Sequence, residues 1–241
     1  MSPWWAVAAY VVAAFSAGGA MRAFVPDATV LQASLVWLVP AFAAGVTWLV
    51  GRRTLAIMLP APVPRRQLVA HTILGAVAAA ALAALTWIGW LLVPAPSSAP
   101  VDVLPLWLAA IPLAFALELG WRGTLQPLVE PRLGRMGASL GVGLVWAAWR
   151  LELDDGATIV ATLVLSLALS VLLGYLGTGA WWQRWITAGV AQAVLSVAIA
   201  GADVTGPRAL VLAGASVVVA VVWLLMFRSA QRRRATRAAG A

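Results

Sequence analysis

The sequence predicts an all-α fold, a polytopic membrane helical bundle with about eight transmembrane helices. Hydrophobic residues make up 63% of the chain and the mean hydropathy is +0.96, whereas soluble domains contain about 45–50% apolar residues. The apolar residues also form runs of about 20, the length at which a helix crosses a ~30 Å hydrocarbon core. Because lipid cannot satisfy backbone polar groups, each run is expected to be helical even where valine is frequent.

Eight such segments follow one another and form a single integral membrane domain over residues 1–241. They run from Pro3 to Val25, Thr29 to Val50, Gln67 to Val93, Leu104 to Val129, Gly137 to Leu151, Ala157 to Gly177, Trp185 to Ala202 and Ala209 to Phe227. The first segment lacks the basic region and cleavage site of a secretory signal, so it is interpreted as a retained spanning helix. The fifth is the shortest. Residues 228–241 follow as a basic C-terminal tail.

Charged residues separate the two sides of the predicted bundle. With the N-terminus inside, twelve of the sixteen basic residues, all arginines, fall in inner connections or the tail. They are Arg52, Arg53, Arg65, Arg66, Arg132, Arg135, Arg184, Arg228, Arg232, Arg233, Arg234 and Arg237. The outer connections hold Asp27, Asp102, Glu152, Asp154, Asp155 and Asp203, with Arg22 and Arg208 near helix ends. The positive-inside rule therefore predicts a multi-pass protein of the cell membrane with both termini cytoplasmic.

The composition also limits the partners and cofactors. The segment Gly51–Arg66 combines four arginines with three prolines and is predicted to lie on the inner membrane surface, where each basic residue contributes about 1 kcal/mol of attraction to anionic lipid. Membrane lipids are therefore expected partners, and nucleic acid is not, because the arginines sit in short loops between apolar segments. Cysteine is absent, which excludes disulfides and thiolate ligands. With His71 as the single histidine, neither a metal site nor a cofactor is predicted, and His71 is assigned an interfacial role.

Glu118 and Arg122 lie deep inside an otherwise apolar segment. A charge near the bilayer centre costs at least ~2.5 kcal/mol, so such residues usually face the protein interior and pair with one another. Their spacing of four places them on one helix face in the favourable order of glutamate before arginine. The pair is thus either a structural ion pair or part of a polar site.

Residues 117–128, Leu-Glu-Leu-Gly-Trp-Arg-Gly-Thr-Leu-Gln-Pro-Leu, resemble the first motif of the CPBP intramembrane proteases, the CAAX-processing and bacteriocin-processing family. The family pattern is EExxxR, and its first glutamate is taken as the base that activates water. Leu117 stands at that position here, whereas Glu118 and Arg122 match the second glutamate and the arginine.

Two further motifs of that family have counterparts by position. The FxxxH motif corresponds to Trp146-Ala-Ala-Trp-Arg150, and the HxxxN/D motif corresponds to Gln192-Ala-Val-Leu-Ser196. The resemblance covers residues 104–200 and implies a CPBP-like core there. It implies site positions at Glu118, Arg122 and Arg150. Gln192, Ser196, Trp146 and Trp149 are the predicted binding residues around them.

Helix rise predicts that these positions meet. Measured from inner helix ends, Glu118 lies ~15 Å deep, Gln192 ~12 Å, Arg150 ~20 Å and Arg122 ~9 Å. We therefore expect one buried polar cluster that opens toward the cytoplasm. In it, Arg150 is expected to bind Glu118 bidentately and to hold the carboxylate ionised.

The chemistry favours a protein that has lost proteolysis. Leu117 offers no lone pair, and Arg150, whose side chain stays protonated near neutral pH, cannot exchange protons as the family histidine would. The sequence therefore predicts a CPBP-like pseudoprotease acting as a membrane scaffold, an immunity-type protein or a binder of a membrane protein or peptide. One alternative is an active endopeptidase that uses Glu118, and another is a transporter or channel. The net positive charge of the cluster also suggests a site for a lipid phosphate or a peptide carboxylate.

Overall fold

The computed structural model describes residues 3–24, 35–58, 60–94, 102–150 and 155–239, which are almost entirely helical and contain no strand. Their α-helices are α1 (Pro3–Phe24), α2 (Val39–Met58), α3 (Arg65–Trp90), α4 (Val103–Gly120), α5 (Gln126–Arg150), α6 (Gly156–Leu176), α7 (Trp181–Ile199) and α8 (Gly206–Ala239). A 3₁₀ turn, Leu35–Leu38, precedes α2, and a π-helical turn, Trp121–Leu125, joins α4 to α5. The all-α fold class is therefore confirmed for the described residues.

Each predicted segment has a helical counterpart, but several boundaries differ. Residues 51–58, predicted as part of an inner loop, continue α2. Arg184, predicted just before a segment, lies in the first turn of α7. The basic tail is helical through residue 239 as the continuation of α8. The predicted start of the second segment at Thr29, the loop residues 95–101 and the acids Asp27, Glu152 and Asp154 lie outside the described residues.

The chain folds back on itself within α5. Gly134 has φ 65° and ψ 171°, a conformation that residues with a Cβ rarely adopt. The Gln126 Nε2 atom lies 3.5 Å from the Ser139 Oγ atom, whereas a straight helix would separate two residues thirteen positions apart by about 20 Å. The apolar stretch Val103–Arg150 therefore consists of two antiparallel limbs, in agreement with the two segments that the sequence predicts there.

The connections cluster at two opposite ends of the bundle. One end, called the basic end, holds the Gly134 turn and the residues that precede α3 and α7. There Arg135 donates to the Gly174 carbonyl at 3.0 Å, and the Gln183 side chain donates to the Val63 carbonyl at 2.8 Å. The Arg135 guanidinium lies 5.5 Å from the Phe227 ring, so the tail of α8 also leaves from this end.

The other end, called the acidic end, holds the first turns of α4, α6 and α8. Asp102 accepts a hydrogen bond from the Leu104 backbone at 3.2 Å, and Gly206 donates to the Thr158 hydroxyl at 3.2 Å. Asp155 caps α6 by accepting from the Thr158 backbone at 2.9 Å. Hydrogen bonds from the Thr158 hydroxyl and backbone hold the pKa of the exposed Asp155 carboxyl below its usual range.

Small residues let the helices approach closely. A Cβ on Gly143 would lie 2.9 Å from the Ser170 Cβ, and one on Gly189 would lie 2.6 Å from the Phe115 ring. These contacts bring α5 against α6 and α4 against α7. Small residues of this kind allow close backbone approach in membrane helix packing.

Five helical stretches are long and apolar enough to cross a membrane by length and composition: Trp4–Ala23, Arg65–Trp90, Val103–Arg150, Gly156–Leu176 and Gly206–Arg232. The stretch Leu35–Gly51 is apolar but shorter. The described residues are therefore compatible with a multi-pass membrane protein.

Candidate functional site

The π-helical turn places Glu118 and Arg122 in the centre of the bundle. The Arg122 Nε atom lies 3.3 Å from the Glu118 Oε2 atom, and the two side chains are 1% and 0% exposed. Thr124 donates from its hydroxyl to the Leu119 carbonyl at 3.0 Å, five residues back along the widened turn. Such π-helical turns recur at functional positions in helices. The ion pair predicted from the spacing of Glu118 and Arg122 is thus present.

The pair continues into a row of polar side chains, called here the polar row: Glu118, Arg122, Gln126, Glu130 and Arg184. The Arg122 Nη1 atom donates to the Gln126 Oε1 atom at 3.1 Å. Gln126 Nε2 donates to Glu130 Oε2 at 3.3 Å. Arg184 binds both oxygens of Glu130, at 2.5 and 3.3 Å. The row therefore runs from the bundle centre to the basic end.

Neighbouring helices hold the polar row in place. The Ser170 hydroxyl of α6 accepts from Arg122 at 3.0 Å, and the Gly174 carbonyl accepts from Gln126 at 3.4 Å. Ser170 in turn donates to the Ser139 carbonyl. The row contains two acids and two arginines, so its formal charges sum to zero inside an apolar bundle.

A separate cavity of about 380 Å³ lies toward the acidic end. Most of its lining is leucine and alanine, and its polar lining residues are Arg150, Thr162, Gln192 and Ser196. The lining comes from residues 106–117 of α4, residues 161–169 of α6, the second half of α7, the start of α8 and the turn between α7 and α8, with Trp37 of the 3₁₀ turn and Arg150 at the end of α5. Of the described residues that line it, none carries a carboxylate.

The cavity brings together four of the positions at which the sequence differs from the motifs of the CPBP proteases that it was expected to resemble. Leu117, Arg150, Gln192 and Ser196 all line it. Glu118, the acid of the first motif, belongs instead to the polar row, where Arg122 is its ion-pair partner. The predicted site residues are thus divided between two neighbouring features, the polar row and the cavity.

The structure differs from the expected bond between Arg150 and Glu118. The Arg150 guanidinium lies 4.8 Å from the Trp37 ring centroid and 6.0 Å from that of Trp146. A guanidinium over an indole face is attracted by the quadrupole of the ring. Arg150 thus lines the cavity and contacts the rings of Trp37 and Trp146.

The direction of the cavity also differs from the expectation. The predicted cluster opens toward the inner helix ends, where the second limb of α5 and the helix α7 begin. The cavity instead lies toward the ends of α5 and α7, beside the turn that includes Gly201 and Ala202. The depth estimate placed the residues at overlapping levels, but it contained no information about which helix faces adjoin open space.

Trp146 and Trp149, predicted as binding residues, are buried in the aromatic core. Their rings lie 6.4 and 6.0 Å from the Trp121 ring. Trp149 donates from Nε1 to the Ala14 carbonyl at 3.2 Å, which joins α5 to α1. Neither residue is among those lining the cavity.

Within the described residues, no group of three or more His, Cys, Asp or Glu side chains comes close enough to hold a metal ion. His71 contacts the Leu176 carbonyl at 3.1 Å and the Thr178 hydroxyl at 2.9 Å through Nδ1. These contacts join α3 to the end of α6 at the basic end.

Several polar partners were not identified from the sequence. Gln126 and Glu130 continue the four-residue spacing of Glu118 and Arg122, and that spacing would have revealed them. Ser170 and Trp37 offer no comparable signal, because their contacts depend on how distant segments pack.

The fold and the site together define an all-helical protein with long apolar helices, a buried polar row and a cavity without a carboxylate among its described lining residues. No family model and no curated protein sequence matches the chain.

Proposed function

We propose that this chain is a multi-pass membrane protein with a CPBP-like core that has no proteolytic activity and acts as a scaffold or as a binder of membrane partners. The observation that carries the proposal is the cavity where four motif positions meet: Leu117, Arg150, Gln192 and Ser196. A leucine, an arginine and two neutral polar side chains cannot deprotonate water near neutral pH.

The position of Glu118 supports the same conclusion. Its side chain is fully buried and is paired with Arg122 at 3.3 Å, on the polar row rather than on the cavity lining. A general base must lie within hydrogen-bond reach of the proton it removes. A substrate held in the cavity would not meet that condition with Glu118 in this arrangement.

The surface supports a membrane location. Large apolar side chains are widely exposed, including Trp5 at 65%, Leu108 at 68% and Leu225 at 60%. Apolar surface of this extent is a liability in water and matches lipid contact. The proposed topology has eight crossings, with the two limbs of Val103–Arg150 counted separately and α2 and α7 included. The basic end faces the cytoplasm, in accord with the positive-inside rule.

The experiment is a hydrolysis assay with purified full-length protein in liposomes that contain a fluorescently labelled transmembrane peptide. We expect no product beyond that of protein-free liposomes, because the cavity offers no water-activating base. The Gln192→Leu variant is a matched control at the cavity and should give the same result. Hydrolysis by the wild-type protein above the level of protein-free liposomes would overturn the proposal and indicate an endopeptidase.

A further inference from the structure

Three buried polar side chains on three different helices have atoms without a hydrogen-bond partner among the described residues. They are Glu118 of α4, Trp146 of α5 and Ser166 of α6, and each is 0% exposed. The atoms concerned are the Glu118 carboxylate oxygens, the Trp146 Nε1 atom and the Ser166 hydroxyl. Arg122 lies 3.3 Å from the Glu118 Oε2 atom, so the ion pair leaves Oε1 without a partner. Buried polar atoms are normally hydrogen-bonded to protein or to an internal water molecule.

Glu118 and Ser166 lie at the same level of the bundle. The helices α4 and α6 both begin at the acidic end, and Arg122 donates to the Ser170 hydroxyl between them at 3.0 Å. Glu118 precedes Arg122 by four residues, and Ser166 precedes Ser170 by four, a rise of about 6 Å on each helix. Side chains four residues apart share a helix face. Glu118 and Ser166 therefore lie on facing sides of α4 and α6, one turn closer to the acidic end than the bond between Arg122 and Ser170.

Trp146 reaches this level from the second limb of α5. A Cβ on Gly143 would lie 3.1 Å from the Ser166 carbonyl oxygen, so Gly143 packs directly against that turn of α6. Trp146 follows Gly143 by three residues on the same face, and long side chains on a helix lean back toward its N-terminus. The indole therefore leans toward the level of Ser166. Its ring lies 6.4 Å from the ring of Trp121, which belongs to the turn directly after Glu118.

The chemistry of the three groups matches one water molecule. An indole N–H can only donate, an ionised carboxylate can only accept, and a serine hydroxyl can do either. A molecule that bridges them must therefore accept from Trp146 and donate to Glu118. Water does both, and it typically makes about three hydrogen bonds at a buried site. A chloride ion would be repelled by the carboxylate, and a metal cation cannot accept a hydrogen bond from the indole.

We propose that a structural water molecule binds between Glu118 Oε1, Trp146 Nε1 and the Ser166 hydroxyl and joins α4, α5 and α6. None of these three residues lines the cavity, so the site is distinct from it. The inference is independent of the proposed function and goes beyond it, because it adds a binding site for water that extends the polar row past Glu118 toward the acidic end.

The test is NMR spectroscopy of the isotope-labelled full chain in detergent micelles, with magnetisation transferred from water to the indole N–H protons. A rotating-frame experiment separates direct contact with water from proton exchange. Trp149 is the matched control, because it is also buried but donates from Nε1 to the Ala14 carbonyl at 3.2 Å. We expect a direct water cross-peak for Trp146 and none for Trp149, with the two signals assigned through Trp146→Phe and Trp149→Phe.

Ser166→Val tests the position of the water. Its two methyl groups replace the hydroxyl and should displace the water, with loss of the Trp146 cross-peak. Ser216→Val is the matched control, since Ser216 is also 0% exposed but donates to the Leu212 carbonyl of its own helix at 2.8 Å. This substitution should leave the cross-peak unchanged. The comparison of Trp146 with Trp149 in the wild-type chain decides the question even if Ser166→Val does not fold.

The inference is overturned if Trp146 shows no water cross-peak, or if Trp146 and Trp149 show equal ones. A Trp146 cross-peak that persists in folded Ser166→Val would also contradict it, because the water would then lie elsewhere. These results differ from a failure of the proposed function, which would appear as peptide hydrolysis whether or not the water is bound.

Discussion

At the residue scale, the Glu118–Arg122 ion pair defines the interior of the molecule. Both side chains are buried, and removal of one partner from such a pair leaves an uncompensated charge. The pair is anchored further by hydrogen bonds from Arg122 to Gln126 and Ser170. The ion pair and its hydrogen bonds therefore hold α4, α5 and α6 together.

A double-mutant cycle tests that role. Glu118→Gln and Arg122→Gln should each lower the free energy of unfolding by about 3–5 kcal/mol, because each leaves the other charge buried and unpaired. The double variant should lose less unfolding free energy than the sum of the two single losses, because neither position then carries a charge. Reversible unfolding in mixed micelles gives the three values.

Arg150→Gln is the control for this cycle. Arg150 lies over Trp37 and forms no ion pair with Glu118. The loss of unfolding free energy in Arg150→Gln should therefore add to that in Glu118→Gln within about 0.5 kcal/mol. The account would be contradicted if the stability losses of Glu118→Gln and Arg122→Gln were additive, or if those of Glu118→Gln and Arg150→Gln were strongly coupled. Either result would show that the Glu118 carboxylate has a different partner in the folded protein.

At this scale the sequence predicted the Glu118–Arg122 ion pair correctly. The four-residue spacing of Glu118 and Arg122 was sufficient, because helix geometry alone determines which side chains are neighbours. The contact between Arg150 and Trp37 could not be predicted, because it depends on how Trp37, more than a hundred residues away, packs against α5. The functional meaning of Leu117 and Gln192 stays a prediction.

At the element scale, the turn at Gly134 is the feature that brings the polar row together. It reverses the chain so that Ser139 returns to the level of Gln126. The same reversal brings Trp146 back beside Trp121. Without it, the second limb would extend away from the residues that it now contacts.

Gly134→Ala should lower the free energy of unfolding by about 1–3 kcal/mol, the cost of a strained backbone conformation for a residue with a Cβ. No atom would lie within 4 Å of the new Cβ, so the effect comes from the backbone alone. The matched control is Gly141→Ala in the second limb, where the nearest atom would be 3.9 Å away.

Gly141→Ala should be neutral or stabilising by up to about 1 kcal/mol, since alanine is the better helix former. Thermal unfolding of both variants in detergent gives the comparison. Equal effects of the two substitutions would argue against the turn at Gly134.

Apolar run length predicted most helices well, because long apolar stretches have few alternatives to a helix in a membrane. Boundaries were less accurate where polar residues continue a helix, as in residues 51–58 of α2 and beyond residue 227 in α8. Arginine is a good helix former, so a charge run alone did not mark a helix end.

At the scale of the whole molecule, arginines and aspartates of the described connections favour opposite ends of the bundle, although Arg22, Arg150 and Arg208 lie at the acidic end. Arg65, Arg66, Arg132 and Arg135 lie toward one end, and Asp102, Asp155 and Asp203 lie toward the other. This arrangement follows from the order of helices and connections that the sequence predicted. The position of the cavity did not follow from it, because cavities arise where helix faces fail to meet.

The central claim is that the chain crosses the membrane with its basic end inside and the cavity facing outward. The chain contains no cysteine, so single cysteines can be introduced without a background. Ala61→Cys and Leu133→Cys probe the basic end, and Val103→Cys and Gly156→Cys probe the acidic end. All four substitutions leave the charges unchanged.

The most direct measurement is labelling of these four variants in intact cells with a membrane-impermeant maleimide. We predict labelling of Val103→Cys and Gly156→Cys from outside, and labelling of Ala61→Cys and Leu133→Cys only after permeabilisation. Labelling of both pairs from the same side, or the reverse pattern, would contradict the proposed topology and the outward position of the cavity.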